Sequence, residues 1–231
     1  MSGQRLLRFS EVAAVAVAWV VLVVCLSVTL CSAPGLTRLL VSTLDVADQA
    51  GMTEERVEGL AERVRLYVTS SDAEPLPEQV AGRPAFDETA RAHLLDVRRV
   101  LLGVRRAVGV SALMLAAWIG WSLARKRWEP LARGIRAGGW TTLALVSLLA
   151  LFVAFGFDSA FVAMHEALFP AGTWLFPEGS LLITLFPRAF WVVMAALCVG
   201  VALVGGLSLA VTGVWMSHSL PSGVSSRVGV R

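Results

Sequence analysis

Four apolar runs punctuate this chain, at about residues 12–31, 104–124, 140–157 and 190–214. A helix needs about 20 mostly apolar residues to cross roughly 30 Å of hydrocarbon, so the pattern predicts four membrane spans. Between the first two runs, residues 32–103 change character and read as a small helical cap. There Thr53 stands where a helix would be capped, ahead of an apolar stripe of Val57, Leu60, Ala61, Val64 and Val68 that ends near Tyr67. Pro75, Pro77, Gly82 and Pro84 mark a turn-rich stretch. A second cap helix starts near Asp87, with Phe86 as the hydrophobic residue before its cap. It carries His93, Leu94, Val97, Leu101 and Val104 on one face, and nothing stops it short of the second run. The connection 158–189 is too polar for a span and too aromatic for a hydrated loop. Its Phe169-Pro170, Phe176-Pro177 and Phe186-Pro187 steps each remove a donor and bias the phenylalanine away from helix. Such a segment fits the membrane boundary.

Composition agrees with this reading. Of 231 residues, 56% are hydrophobic and only 16% charged, with mean hydropathy +0.71. A soluble domain rarely carries so few charges. The expectation is an all-α polytopic membrane protein, with residues 1–217 as one four-span domain and 218–231 as a disordered tail holding an idle His218. Cys25, Cys31 and Cys198 lie in apolar runs without a C-x-x-C pair, which argues against zinc or thiol redox chemistry. The first run is longer than a signal-peptide core and reads as an uncleaved helix. Arg125, Lys126, Arg127, Arg133 and Arg136 crowd the connection between runs two and three, so that side should be cytoplasmic. Both termini then lie inside, in a bacterial plasma membrane. Arg98, Arg99, Arg105 and Arg106 pull the other way, but long loops weigh less in this rule.

This topology puts His93 and His165 on one side, with 71 residues between them. Histidine beside hydrocarbon is costly and suggests function, and it exchanges protons near neutral pH. Asp96, three residues after His93, could hold that imidazole in one tautomer. Asp158 and Phe161 share the helical face of His165, although Asp158 is about 10.5 Å of rise away. Trp174, Phe176, Phe186, Phe190 and Trp191 form either a wall of the site or an interfacial belt. Arg98 and Arg188 could bind an anion, or simply snorkel to headgroups. No G-x-S-x-G, phosphate loop, H-E-x-x-H or nucleic-acid motif occurs.

Taken together, His93-x-x-Asp96-Val97-Arg98, then Asp158, Phe161 and His165, then 172–177 as Gly-Thr-Trp-Leu-Phe-Pro and the stretch 181–190 resemble the bacterial lipoprotein intramolecular transacylase family. The resemblance implies a four-span enzyme that moves an acyl chain from the glyceryl ester of a lipoprotein's diacylglyceryl-cysteine to its own α-amine. It implies His93 and His165 as the catalytic pair, with Asp96, Arg98, Asp158, Trp174 and Arg188 supporting. No metal or cofactor is implied; the partners are the lipoprotein N-terminus and membrane lipid, and the chain acts as a monomer. The residues alone leave open a non-enzymatic scaffold or sensor that binds a partner through the cap. That cap is acidic: by the sequence, residues 32–101 hold twelve Asp and Glu against eight Arg.

Overall fold

The computed structural model describes residues 3–80 and 82–219, with side chains from residue 9 onward apart from Arg83. The fold is all-α. Helix α1 (Gly3–Cys31) leads into α2 (Leu36–Thr43), α3 (Val46–Ala50) and α4 (Glu54–Thr69). A two-residue antiparallel ladder, β1 (Gln79–Val80) with β2 (Arg83–Pro84), closes the proline-rich turn. Then follow α5 (Glu88–Ala124), α6 (Trp128–Phe155), α7 (Phe157–Leu168), α8 (Leu181–Leu185) and α9 (Arg188–Ser219). Among the described residues four helices, α1, α5, α6 and α9, are long and apolar enough to cross a membrane.

Helix α5 runs unbroken for 37 residues, about 55 Å at 1.5 Å per residue. Asp87 starts it, its carboxylate accepting from the Ala90 N–H at 2.7 Å, with Phe86 buried just before. The first turns of α5 belong to the cap, because Ala90 and Leu94 are buried in one core with Val41, Val46, Val57, Ala61, Val64 and Leu185. Thr53 does sit before α4, but its side chain makes no capping bond; only its carbonyl is used, by Arg56 and Val57.

Arginines lash the cap together. Arg91 donates to the carbonyls of Phe86 at 3.0 Å and Pro77 at 2.8 Å, which fixes the turn-rich stretch against α5. Arg65 grips Glu62 through two bonds and reaches the Ser32 carbonyl at 3.1 Å, tying α4 to the end of α1. Arg98 donates to the Ser71 carbonyl and lies over the Tyr67 ring, while Arg105 donates to Thr69 at 2.6 Å. Arg105 answers the last carbonyl of α4, where the helix dipole favours positive charge, and Arg98 holds the turn just beyond it. Arg98 and Arg105 are therefore occupied with the cap itself.

Between α5 and α6 the connection is only residues 125–127. The sequence pattern starts the third span near 140, whereas α6 begins at Trp128 and carries Arg133 and Arg136 on its early turns. Pro130 is tolerated there because the first turn needs no intrahelical N–H. Arg127 forms a two-pronged pair with Glu11 at 2.9 and 2.8 Å, and Glu11 also accepts from the Trp118 indole at 3.0 Å. This joins the start of α1 to the far end of α5.

The closest contact in the bundle is between α6 and α9. A side chain at Gly139 would run into the backbone of Ala210 and Gly206, and one at Gly213 into the backbone of Arg136. Small residues let membrane helices approach this closely, and van der Waals packing is then the main attraction between them. At its far end α9 continues through His218 to Ser219, past the helix end the sequence suggests. The rest of the predicted tail, 220–231, lies outside the described residues.

Because backbone cannot yield as a side-chain tip can, Gly213→Val should cost about 1–3 kcal/mol through overpacking. The expected result is a clearly lower Tm in detergent for the variant. An unchanged Tm would show that α6 and α9 are not in backbone contact.

Candidate active site

Three separate pieces of chain deliver the site: the second turn of α5, the last turns of α7, and the loop that follows. Helix α6 stops at Gly156 and α7 starts at once with its own direction, so the third span does not simply continue outward to His165. Phe169 ends α7 in extended conformation, φ −128° and ψ 150°, as the Phe-Pro step requires. Phe186 likewise ends α8 before Pro187 outside the helical region, at φ −126° and ψ 70°. The intervening loop carries Trp174 and Phe176 back over the histidines. Gly172 and Gly179 bracket it at φ +80° and +83°, in the left-handed region that glycine occupies without strain.

His93 and His165 face each other with ring centroids 5.9 Å apart and planes 22° from parallel. Both are buried, at 7% and 8% exposure. Phe169 touches both rings, at 4.8 Å from His93 and 5.4 Å from His165. Phe176 packs on His93 at 5.5 Å, Phe161 on His165 at 4.0 Å, and Trp174 on His165 at 5.1 Å. The histidines thus sit in an aromatic enclosure. Nδ1 of His165 is 2.8 Å from the Phe161 carbonyl. A carbonyl only accepts, so Nδ1 carries the proton and Nε2 keeps its lone pair. The buried Nδ1 of His93 has no hydrogen-bond partner among the described residues, and neither has the buried indole nitrogen of Trp174.

The other sequence candidates fall elsewhere. Asp96 does not hold His93; its carboxylate accepts from Arg99 at 2.7 Å. Asp96 lies three positions from His93 on one side and from Arg99 on the other, and a guanidinium is the stronger donor to a carboxylate than a neutral imidazole. Arg98 lies about 140° around α5 from His93 and serves Ser71. Asp158 and Arg188 form a two-pronged pair at 2.6 and 3.1 Å, exposed to water, which joins the start of α7 to the start of α9. Phe186, Phe190 and Trp191 pack on one another rather than on the histidines, and the Trp191 indole donates to the Phe186 carbonyl at 3.0 Å. Phe169 is the site residue that sequence reasoning passed over as a turn marker. Its Phe-Pro step, one turn after His165, was the available signal.

The sequence profile of the lipoprotein intramolecular transacylase Lit family matches residues 12–191 of this chain. Among solved structures, the fold is similar to the in meso structure of the membrane integral lipoprotein intramolecular transacylase Lit from Bacillus cereus. The TM-score is 0.79 at 18% identity, over 92% of this chain and 96% of that one. Two further structures of the Bacillus cereus protein, with a histidine mutated to arginine or to alanine, each give a TM-score of 0.74 at 18% identity. They cover 93% of this chain and 94% and 96% of their own. No curated protein matches by sequence.

Burial dominates the electrostatics. His93 stands between Ala90 and Leu94 of the cap core, ahead of the apolar run of α5. Removal from water pushes its pKa down from 6.5 to about 4, the nearby His165 adds to the fall, and Asp96 opposes it. His165 is also lowered, chiefly by burial, against the raising effect of the Phe161 carbonyl. Both rings are therefore neutral at pH 7. As pH falls, the unfolded chain takes up these protons before the folded one does, so the folded state loses stability. For His93 that contribution is complete above pH 6.5 and lost as pH falls through about 4. The Tm of the wild type should accordingly drop more steeply between pH 6.5 and 4 than that of His93→Gln. Parallel slopes would contradict the burial of a neutral imidazole.

Proposed function

The chain belongs to the lipoprotein intramolecular transacylase family, and on that premise we propose that His93 and His165 together carry the acyl transfer. It is a multi-pass bacterial membrane enzyme that moves an acyl chain within a lipoprotein. The reaction takes one chain from the glyceryl ester of the N-terminal diacylglyceryl-cysteine to the α-amine of the same cysteine. Nucleophile and ester belong to one substrate molecule, so the enzyme must fold that molecule onto itself and keep water away, since hydrolysis competes.

The observation that carries this reading is the meeting of two buried imidazoles, 5.9 Å apart, inside an aromatic enclosure. His165 acts as base: its Nε2 lone pair takes the proton from the attacking amine while Nδ1 stays anchored to Phe161. An amine with pKa about 7.7–8 is within reach of an imidazole acting at the transition state. His93, held neutral by burial, takes up that proton from His165 at one nitrogen as its other nitrogen gives one to the departing glyceryl oxygen. The proton count closes, because the amine loses one and the glyceryl oxygen gains one. Phe161, Phe169, Trp174 and Phe176 exclude water. Asp158 and Arg188 support the site by clasping α7 to α9, and Asp96 and Arg98 by bracing the cap.

Arg125, Lys126, Arg127, Arg133 and Arg136 mark the end of the bundle opposite the site and support a cytoplasmic placement there, with cap and site outside. A single chain supplies both histidines, which supports action as a monomer. A scaffold would have no use for two histidines converging from distant helices.

The test follows a synthetic diacylglyceryl-cysteine lipopeptide by mass spectrometry. His93→Ala and His165→Ala should each lower formation of the N-acylated lyso product by about 10²–10⁴-fold, the range of general acid–base catalysis. Either variant working at the wild-type rate would remove that histidine from the mechanism.

A further inference from the structure

Resting on the transacylase reading, we propose that the indole N–H of Trp174 is the oxyanion donor of the reaction. An indole nitrogen can only donate, and a buried donor without an acceptor is rare in a folded chain. Trp174 Nε1 is such a donor: it is shut off from solvent and meets no acceptor among the described residues. Two other indoles have acceptors, that of Trp118 in Glu11 and that of Trp191 in Phe186. Trp19 also lacks an acceptor, but it is packed between α1 and Gly138 of α6, within the bundle. Trp174 instead has its ring 5.1 Å from His165, on the loop that closes over the two imidazoles.

The chemistry requires a donor here. As the amine nitrogen attacks, its lone pair forms the C–N bond and the carbonyl π pair moves onto oxygen. Collapse restores the carbonyl, breaks the bond to the glyceryl oxygen, and delivers to that oxygen, by way of His93, a proton in exchange for the one taken at His165 Nε2. The developing oxyanion needs a preorganised donor in a site from which water is excluded. Neither candidate cation is available: Arg98 is bound to Ser71, and Arg188 to Asp158. Both histidines are committed to the amine and the leaving oxygen. That leaves the Trp174 N–H. The loop backbone holds it in place, since Thr173 bonds the Pro170 carbonyl through both its N–H at 3.3 Å and its hydroxyl at 2.9 Å.

Two variants remove the N–H while keeping an aromatic ring: Trp174→Phe, and replacement of Trp174 by benzothienylalanine, in which sulfur takes the place of the indole nitrogen. Each is compared with wild type for kcat, KM, the acidic limb of the pH–rate profile, and Tm. The expected result is a kcat lowered by about 10²–10³-fold, the usual effect of losing one oxyanion donor. KM should stay within about twofold, as expected when an interaction is made only in the transition state, with the acidic limb and Tm unmoved. Should Trp174→Phe fold poorly, the nearly isosteric sulfur analogue decides. Wild-type kcat in that analogue overturns the proposal, as does a defect confined to KM. A shifted acidic limb also overturns it, because Trp174 would then be a positioning residue for His165. A wild-type chain that makes no N-acyl product would instead overturn the transacylase reading, and this assignment with it.

Discussion

Two imidazoles removed from water beside each other constrain the rest of this structure. Burial costs each ring its charge, and proximity makes double protonation worse still, so both stand neutral at pH 7. A neutral pair can take a proton at one nitrogen and give one at another, but only if each ring keeps its tautomer. For His165 the Phe161 carbonyl one turn back provides this. For His93 the described residues provide no such partner. Aromatic rings suit such a place because they exclude water and make few competing hydrogen bonds.

Holding that arrangement requires a frame with little slack. Helices α6 and α9 touch backbone to backbone at Gly139 and Gly213. The Asp158–Arg188 clasp and the contact of Phe161 with Trp191 then dock α7 onto the start of α9. On the other flank, Arg65, Arg91, Arg98 and Arg105 stitch α4 and the proline-rich turn to α1 and α5. Each bond spends a cation on a backbone carbonyl or a neighbouring carboxylate within the cap. That explains how so small a cap, with few long helices, keeps His93 in register.

Much of this was legible from residue order alone. The four apolar runs, the Val57–Val68 stripe and the Asp87 start of α5 follow from periodicity and capping, which are local. The topology read from the apolar runs puts His93 and His165 on one side, and the resemblance to the transacylase family, not the spacing, names them as a pair. What escaped notice depends on competition between partners. Asp96 has His93 and Arg99 at equal spacing, and the stronger electrostatic partner takes it. The carbonyls of Thr69, at the end of α4, and Ser71, in the turn after it, claim Arg105 and Arg98 from a distant part of the chain and leave no mark on the spacing within α5. Helices α2 and α3 are short, eight and five residues. They begin after Gly35 and Asp45 in left-handed or irregular backbone without a side-chain cap, so they lack the usual start signals. Gly156 interrupts a run that is otherwise continuously apolar, and one glycine there is a weak stop signal.

Helix α5 has a further consequence. From Trp118, beside the Glu11–Arg127 pair, to His93 it measures about 37 Å along its axis, against about 30 Å for the hydrocarbon of a bilayer. A continuous α-helix neither stretches nor folds without breaking its hydrogen bonds. It therefore works as a gauge rod, and the height of the paired histidines over the opposite membrane face is built into the covalent chain. The glyceryl ester has to be brought to that level, so a bilayer of unsuitable thickness would present its lipid at the wrong height, however intact the protein.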